Sequence, residues 1–158
     1  MRLELSVQGA ESTVRVLRVT AESLNKPLRP LLEVLAGEMQ SAFQRHIQQE
    51  QGPQGPFPEL KPETRAIRRW YGHPPDSPKL VRAGDLLHSI TTLELGEDSF
   101  NVGSRLPYAR IVQEGGTITD EHGRTRTVQA FPFVYVTAQE KDDLFALIQE
   151  YFLGGADA

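Results

Sequence analysis

The stretch from Glu50 to Lys79 constrains this chain more than any other. It holds Pro53, Pro56, Pro58, Pro62, Pro74, Pro75 and Pro78, with Gly52, Gly55 and Gly72 among them. Proline removes a backbone donor and clashes with the preceding helical turn, and glycine loses entropy inside any regular element. The run therefore predicts no regular structure beyond one turn at Pro62 to Trp70. A long structureless insertion is uncommon in a compact domain unless it engages a partner, so the run reads as an arm laid on another surface.

On the amino-terminal side, Leu3, Leu5 and Val7 alternate with Arg2, Glu4, Ser6 and Gln8, the period of a strand with one buried face. Glu11 to Leu24 suits either element: Val14, Val16 and Val19 favour a strand, while Val14, Leu17, Ala21 and Leu24 step by three and four. The reading adopted is a short helix. Pro27 and Pro30 are tolerated in a helix only within its first turn, so they mark a helix start with Asn25 as its cap. From there Leu31, Leu32, Leu35, Met39, Ala42, Phe43, His46 and Ile47 form one stripe, opposite Glu33, Glu38, Gln40, Gln44 and Gln48. A helix of roughly 20 residues, about 30 Å long, is expected.

After the arm, Gly84-Asp85 opens a helical turn through Leu86, Leu87 and Ile90, and Ser89–Leu95 with Ser99–Ser104 reads as a hairpin. Pro107 to Val112 predicts a short helix with Pro107 at its first position, stopped by Gly115-Gly116. Thr117 to Thr127 is polar and reads as a second loop or a mobile hairpin. Phe131 to Val136 predicts a last strand, and Glu140 to Leu153 a terminal helix with Leu144, Phe145, Leu147, Ile148, Tyr151 and Phe152 inward. The fold class is α+β, a small antiparallel sheet packed with one long helix and a C-terminal helix. Two long loops, at about 50–80 and 115–128, would project from this single domain as arms.

At 158 residues the chain can bury a real core as one domain. It contains no cysteine, which excludes disulfides, thiolate nucleophiles and Cys-based metal sites. No run approaches the roughly 20 apolar residues of a membrane span, and Met1 to Leu5 lacks a signal-peptide core, so a soluble protein made in the cytoplasm is expected. The formal net charge is −4, which gives no general attraction to nucleic acid or anionic lipid. The charge is polarised, however. Lys61 to Arg82 carries six Lys or Arg against Glu63 and Asp76, and Ala138 to Ala158 carries five acids against Lys141. Such ends suit head-to-tail association of identical copies, and a solvated surface explains them equally well.

Catalytic patterns are sparse. His46, His73, His88 and His122 have no partner at ligand spacing, so loop or helix-surface histidines are the default reading. Ser104 ends a strand without a nucleophile elbow and reads as a cap. Asp85 can accept backbone N–H groups at a helix start, a folding role. The basic arm, with Lys61, Arg65, Arg68, Arg69, Trp70, Tyr71, Lys79 and Arg82, supplies cations and stacking surfaces and is the best nucleic-acid candidate. No cofactor or metal is expected.

Four short signatures follow in order: Ala83-Gly84-Asp85-Leu86-Leu87-His88-Ser89-Ile90, Val102-Gly103-Ser104, Tyr108-Ala109-Arg110-Ile111-Val112-Gln113-Glu114-Gly115-Gly116, and Phe131-Pro132-Phe133. Their order and spacing resemble the phage virion-morphogenesis (tail-completion) family. In the arm, Pro56-Phe57-Pro58-Glu59-Leu60-Lys61-Pro62-Glu63-Thr64 is similar to the family's W-x-P-L-x-x-x-T element, with Phe57 in place of Trp. Ala83 stands where the first signature usually has Thr. Ala130-Phe131-Pro132-Phe133 lacks the Arg of PARPF, and Val112 and Glu114 depart from H-Q-x-G.

The resemblance implies that Gly84, Leu86, Ser89, Ile90, Gly103, Ser104, Tyr108, Gly115, Phe131 and Phe133 define the fold. It implies that the arm meets neighbouring subunits or tail and connector surfaces through Phe57, Leu60, Arg65, Arg68, Arg69, Trp70 and Tyr71. The implied role is structural and not enzymatic: a neck or tail-completion protein forming a ring, of six copies, whose arms become ordered only on their neighbours. Head connector or adaptor proteins and tail terminator or tube proteins would be its partners. Genomic DNA would only pass through the channel, past an acidic wall, and no membrane would be involved. The implied location is the virion neck or tail top, with host cytoplasm during assembly. A tail terminator capping the tube and a nucleic-acid-binding packaging accessory are the alternative readings.

Overall fold

The computed structural model describes residues 5–10, 14–19, 27–76, 78–81 and 84–153. In chain order the elements are β1 (Leu5–Ala10), β2 (Val14–Val19), α1 (Arg29–Gln48), β3 (Gln51–Gly52), β4 (Gly55–Pro56), α2 (Pro62–Trp70) and α3 (Asp85–Ser89). They continue with β5 (Thr91–Leu95), β6 (Ser99–Gly103), α4 (Ala109–Glu114), β7 (Gly116–Thr119), β8 (Thr125–Val128) and α5 (Ala138–Leu153). The expectations placed on Leu3, Asn25, Arg82 and Ala83 lie outside the described residues.

A four-stranded antiparallel sheet in the order β1-β2-β6-β5 forms one layer. The helix expected across Glu11 to Leu24 is corrected: Val14–Val19 is β2, paired with β1 from Leu5↔Val19 to Ala10↔Val14 and with β6 from Val14↔Gly103 to Arg18↔Ser99. Both signals were present, and β-branched Val14, Val16 and Val19 settle in a central strand where two neighbours satisfy the backbone. The β5–β6 hairpin turns where expected, with Gly96 N–H donating to Ser99 O at 2.8 Å.

Helix α1 spans 20 residues with Pro30 in its first turn, where a missing donor is harmless. Every residue of the expected apolar stripe is buried. The helix packs on β5, β6 and α5, so Phe43, Leu35 and Ile47 meet Phe100, Ile90, Phe133, Leu144 and Ile148 in one cluster. The Tyr151 hydroxyl on α5 donates to Pro27 O ahead of α1, closing the two helices on each other.

The arm expected at about 50–80 is corrected most. Glu50 takes a positive φ of 54 and turns the chain out of α1 into the tight β3–β4 pair. Phe57 N–H then returns to Glu50 O at 2.7 Å. Phe57 and Leu60 are buried in the common core, and Phe57 sets its ring edge-on to Phe131 at 5.8 Å. Tyr135 donates its hydroxyl to Gln51 O at 2.9 Å. Helix α2 runs for nine residues with Pro62 in its first turn. The prolines thus sit at a helix start (Pro62), in the two-residue strand β4 and the turn before it (Pro56, Pro53), and in irregular or bent segments, where they are compatible with order. The segment is seated on its own chain without a neighbour.

The second loop is an exposed hairpin, β7–β8, in register from Gly116↔Val128 to Thr119↔Thr125. The strand expected at Phe131 to Val136 is corrected as well: among the described residues this segment pairs with no strand. Its backbone is satisfied by Gln113 on α4, whose Oε1 accepts from Phe133 N–H and Val134 N–H, both at 2.9 Å, while Nε2 donates to Val134 O at 3.2 Å. A single side-chain amide does the work of a strand partner, a substitution that a residue-by-residue pattern does not reveal.

Helix α4 begins two residues later than expected, at Ala109, and stops at Gly115 with φ +68. A Cβ there would stand 2.9 Å from Ala130 N and 3.0 Å from Val128 O. Gly115→Ala is therefore expected to destabilise the protein by about 2 kcal/mol through left-handed strain and backbone clash, read as a lower urea midpoint with unchanged slope.

Candidate interaction surface

The four signatures converge. Gly84, at φ +80, leads into α3, and the His88 ring lies over it so that a Cβ would fall 3.0 Å from the imidazole. Gly84 is the N-cap of α3, and Asp85 stands in the first turn, where a carboxylate complements the helix dipole. Ser89 donates to Leu86 O at 2.7 Å, its oxygen meets Ser104 Oγ at 2.6 Å, and Ser104 Oγ accepts from Leu106 N–H at 3.1 Å. That chain of hydroxyls joins the first signature to the second, with Ser104 buried and its Oγ closing the local turn onto Leu106. Phe131 N–H donates to Val112 O at 2.7 Å and, with Gln113, joins the third to the fourth. Leu86, Ile90, Phe131 and Phe133 are buried in the core. Of the ten residues expected to define the fold, Tyr108 alone is exposed. It lines a cleft of about 430 Å³ with Ile67, Arg68, Leu80 and Asp85. Burial, and then the Asp85 charge, raise its hydroxyl above the usual value.

His46 corrects the surface-histidine reading. It is only 4% exposed and stacks on Tyr135 at 3.9 Å with an 11° interplanar angle. Nδ1 lies 2.9 Å from Phe133 O and Nε2 lies 2.8 Å from Glu140 Oε1. Each ring nitrogen thus faces an oxygen, one on the backbone and one on a carboxylate. Glu140 also completes a capping box for α5: its Oε2 accepts from Thr137 N–H at 2.9 Å, and its own N–H donates to Thr137 Oγ1 at 3.1 Å. Burial works to raise the Glu140 pKa, but the Thr137 N–H and the His46 ring outweigh it and hold the carboxyl below the usual range. Burial, with the Glu140 charge behind it, raises Tyr135. The sequence signal was the place of His46 on the α1 stripe; its partners, 87 and 94 residues away, left none.

The basic arm is largely committed within the chain. Arg65 pairs with Glu59 at 2.6 Å and Asp76 at 2.9 Å. Arg68 is 5% exposed and donates to Pro78 O and Lys79 O at 2.7 Å each and to Pro74 O at 3.3 Å. Lys79 Nζ reaches Phe57 O at 3.0 Å and lies near Glu50 and Glu59. Lys61 Nζ donates to Thr127 O at 2.7 Å. Cations so engaged are poorly placed to meet phosphates, which weighs against the nucleic-acid reading.

Of the residues expected at an interface, Phe57, Leu60 and Arg68 face inward and Arg65 is half-buried. Arg69, Trp70 and Tyr71 face water, with Trp70 86% and Tyr71 60% exposed. Among the described residues, no group of three His, Asp or Glu could hold a metal ion. Nor is any helix among them long and apolar enough to cross a membrane.

No solved structure matches the chain. It is 31% identical over 150 residues to the Mu-like prophage FluMu G protein 2 of Haemophilus influenzae, covering 95% of this chain and 96% of that one. The model of the phage virion morphogenesis family matches residues 7–152, a span that takes in all four signatures, the seated arm and both long helices. On that near-complete match the chain belongs to the phage virion morphogenesis family.

Proposed function

We propose that this chain is a structural protein of the phage head–tail joint, a tail-completion component that closes into a ring of six copies around the path of the genome. Head connector or adaptor proteins would meet it on one side and tail terminator or tube proteins on the other. The observation that carries this reading is the family match across residues 7–152, supported by a Mu-like prophage relative aligned over nearly the whole of both chains. The work is assembly. A rigid α+β body presents Trp70, Tyr71 and an acidic α5 outward, and copies joined through two different surfaces close into a ring when the rotation between them divides a full turn.

Electron cryo-microscopy of the virion neck tests the proposal. Density at the joint should fit six copies of this fold around the axis, and particles lacking the gene should accumulate as heads and tails that do not join. A neck with no density for the chain, or normal infectious particles formed without it, would remove this role.

A further inference from the structure

Helix α2 is built with its polarity reversed. Its buried residue is Arg68, held by three loop carbonyls, while Ile67 and Trp70 stand outside, 45% and 86% exposed. They lie three residues apart and so share one face of the helix. Single exposed apolar side chains are ordinary, but a tryptophan and an isoleucine on one short helix, with Arg69 beside them, form the kind of aromatic and cationic cluster that anchors interfaces.

Helix α5 offers a matching surface. Its inner side buries Leu144 and Ile148. Outside, Asp142, Ala146, Glu150 and Leu153 are all exposed and succeed one another at steps of four, four and three, which aligns them in a single stripe. A small Ala lies between two acids, with Leu153 at the end, 69% exposed. On each face one opposing charge lies away from the anchoring residues. Glu63 lies seven residues, about 10 Å, from Trp70 on α2, and Lys141 folds its ammonium over the Phe145 ring at 5.9 Å.

We propose that the outward face of α2 in one copy docks along the Asp142–Leu153 stripe of α5 in the next. Trp70 covers Ala146, Arg69 meets the flanking acids, and Ile67 lies toward Leu153. The nine residues of α2 span about 13 Å and the stripe about 16 Å, so the two surfaces match in length. Because the two patches differ, the contact is heterologous and propagates from copy to copy, as a ring requires. The inference rests on the ring proposed above and names the faces that build it.

Trp70 is the only tryptophan in the chain and therefore reports its own burial. The test combines sedimentation velocity with tryptophan emission on the purified full chain over a concentration series. Association should coincide with a shift of the emission to shorter wavelength. Trp70→Ala should weaken association by about 30-fold or more with an unchanged far-UV spectrum, since this side chain supports little of the monomer. Arg69→Glu alone and Asp142→Lys with Glu150→Lys should each weaken association, and all three together should restore it. An assembly whose Trp70 emission stays that of a water-exposed indole would overturn this docking while leaving the proposed role intact. A chain that stays monomeric throughout would overturn it too, as would an emission shift produced only by DNA or by another virion protein.

Discussion

Replacing His46 with alanine should lower stability by about 4 kcal/mol, because it removes a buried ring stacked on Tyr135, takes the ring partner from the Phe133 carbonyl and takes one partner from the half-buried Glu140 carboxylate. At this chain length each kcal/mol lowers Tm by about 2–4 °C, so the midpoint should fall by about 8–16 °C. The loss is large because His46 links three parts of the fold: α1 that carries it, the Phe131–Val136 segment whose carbonyl it meets, and α5 through Glu140. Glu140→Gln should cost less, about 1–2 kcal/mol, since its one amide oxygen keeps only one of the two contacts that the carboxylate oxygens make, with the His46 ring and with Thr137 N–H.

The same pair gives the acid limb a sign. A carboxyl whose folded pKa is depressed contributes stability in full above its ordinary value of 4.5 and loses it as pH falls through the folded value. Wild type should therefore weaken below about pH 4.5, and Glu140→Gln should weaken less over that range. Facing Glu140 are the His46 ring and the guanidinium of Arg45, whose Nη2 lies 3.7 Å from Oε1. Thermal melts across pH, wild type beside Glu140→Gln, make the comparison. Parallel acid limbs would show that the carboxylate does not hold the contact.

Arg68→Ala should be the next most damaging, at about 3 kcal/mol, because it leaves the carbonyls of Pro74, Pro78 and Lys79 without their donor. Arg68→Met keeps most of the volume and should recover little, which separates lost hydrogen bonds from lost packing. Arg68→Lys should fall short as well, since an ammonium does not reproduce the planar fork that reaches several carbonyls at once. The loop from Gly72 to Val81 should become the earliest site of proteolytic cleavage in Arg68→Ala while α1 stays protected. A cleavage pattern unchanged from wild type would mean that Arg68 does not hold that loop.

Elements made by periodicity could be read directly. The α1 stripe, the inner face of α5 and the β5–β6 hairpin follow from spacings of three, four and two, and each was legible in the sequence. What failed had long-range causes. Val14 to Val19 carries both periods, and its strand is selected by β6, more than eighty residues away in sequence. Phe131 to Val136 has the composition of a strand but is held by Gln113, whose role depends on geometry. The proline run was read as an arm because proline excludes helix interiors, but Phe57 and Leu60 within it carry enough apolar surface to seat it in the core. His46 and Arg68 were misjudged alike, since a polar side chain is expected outside until its buried acceptors are known. At the proposed docking face, Arg69 and Trp70 were named from the sequence as interface residues and both are exposed, whereas the α5 stripe was seen only as an acidic surplus.

The hairpin of β7 and β8 leaves every strand residue but Val128 exposed. Its Asp120–Gly123 end is tied only locally, by Asp120 accepting from His122 N–H and Arg124 N–H at 2.9 Å each. Lengthening such a tip adds little closure entropy, about 0.6 kcal/mol for each doubling of the loop. Reach in this region is thus decoupled from the packing of the body: a few inserted residues would extend the molecule's span and leave its interior untouched, so that evolution can refit one end of the protein to a differently sized counterpart by insertion alone.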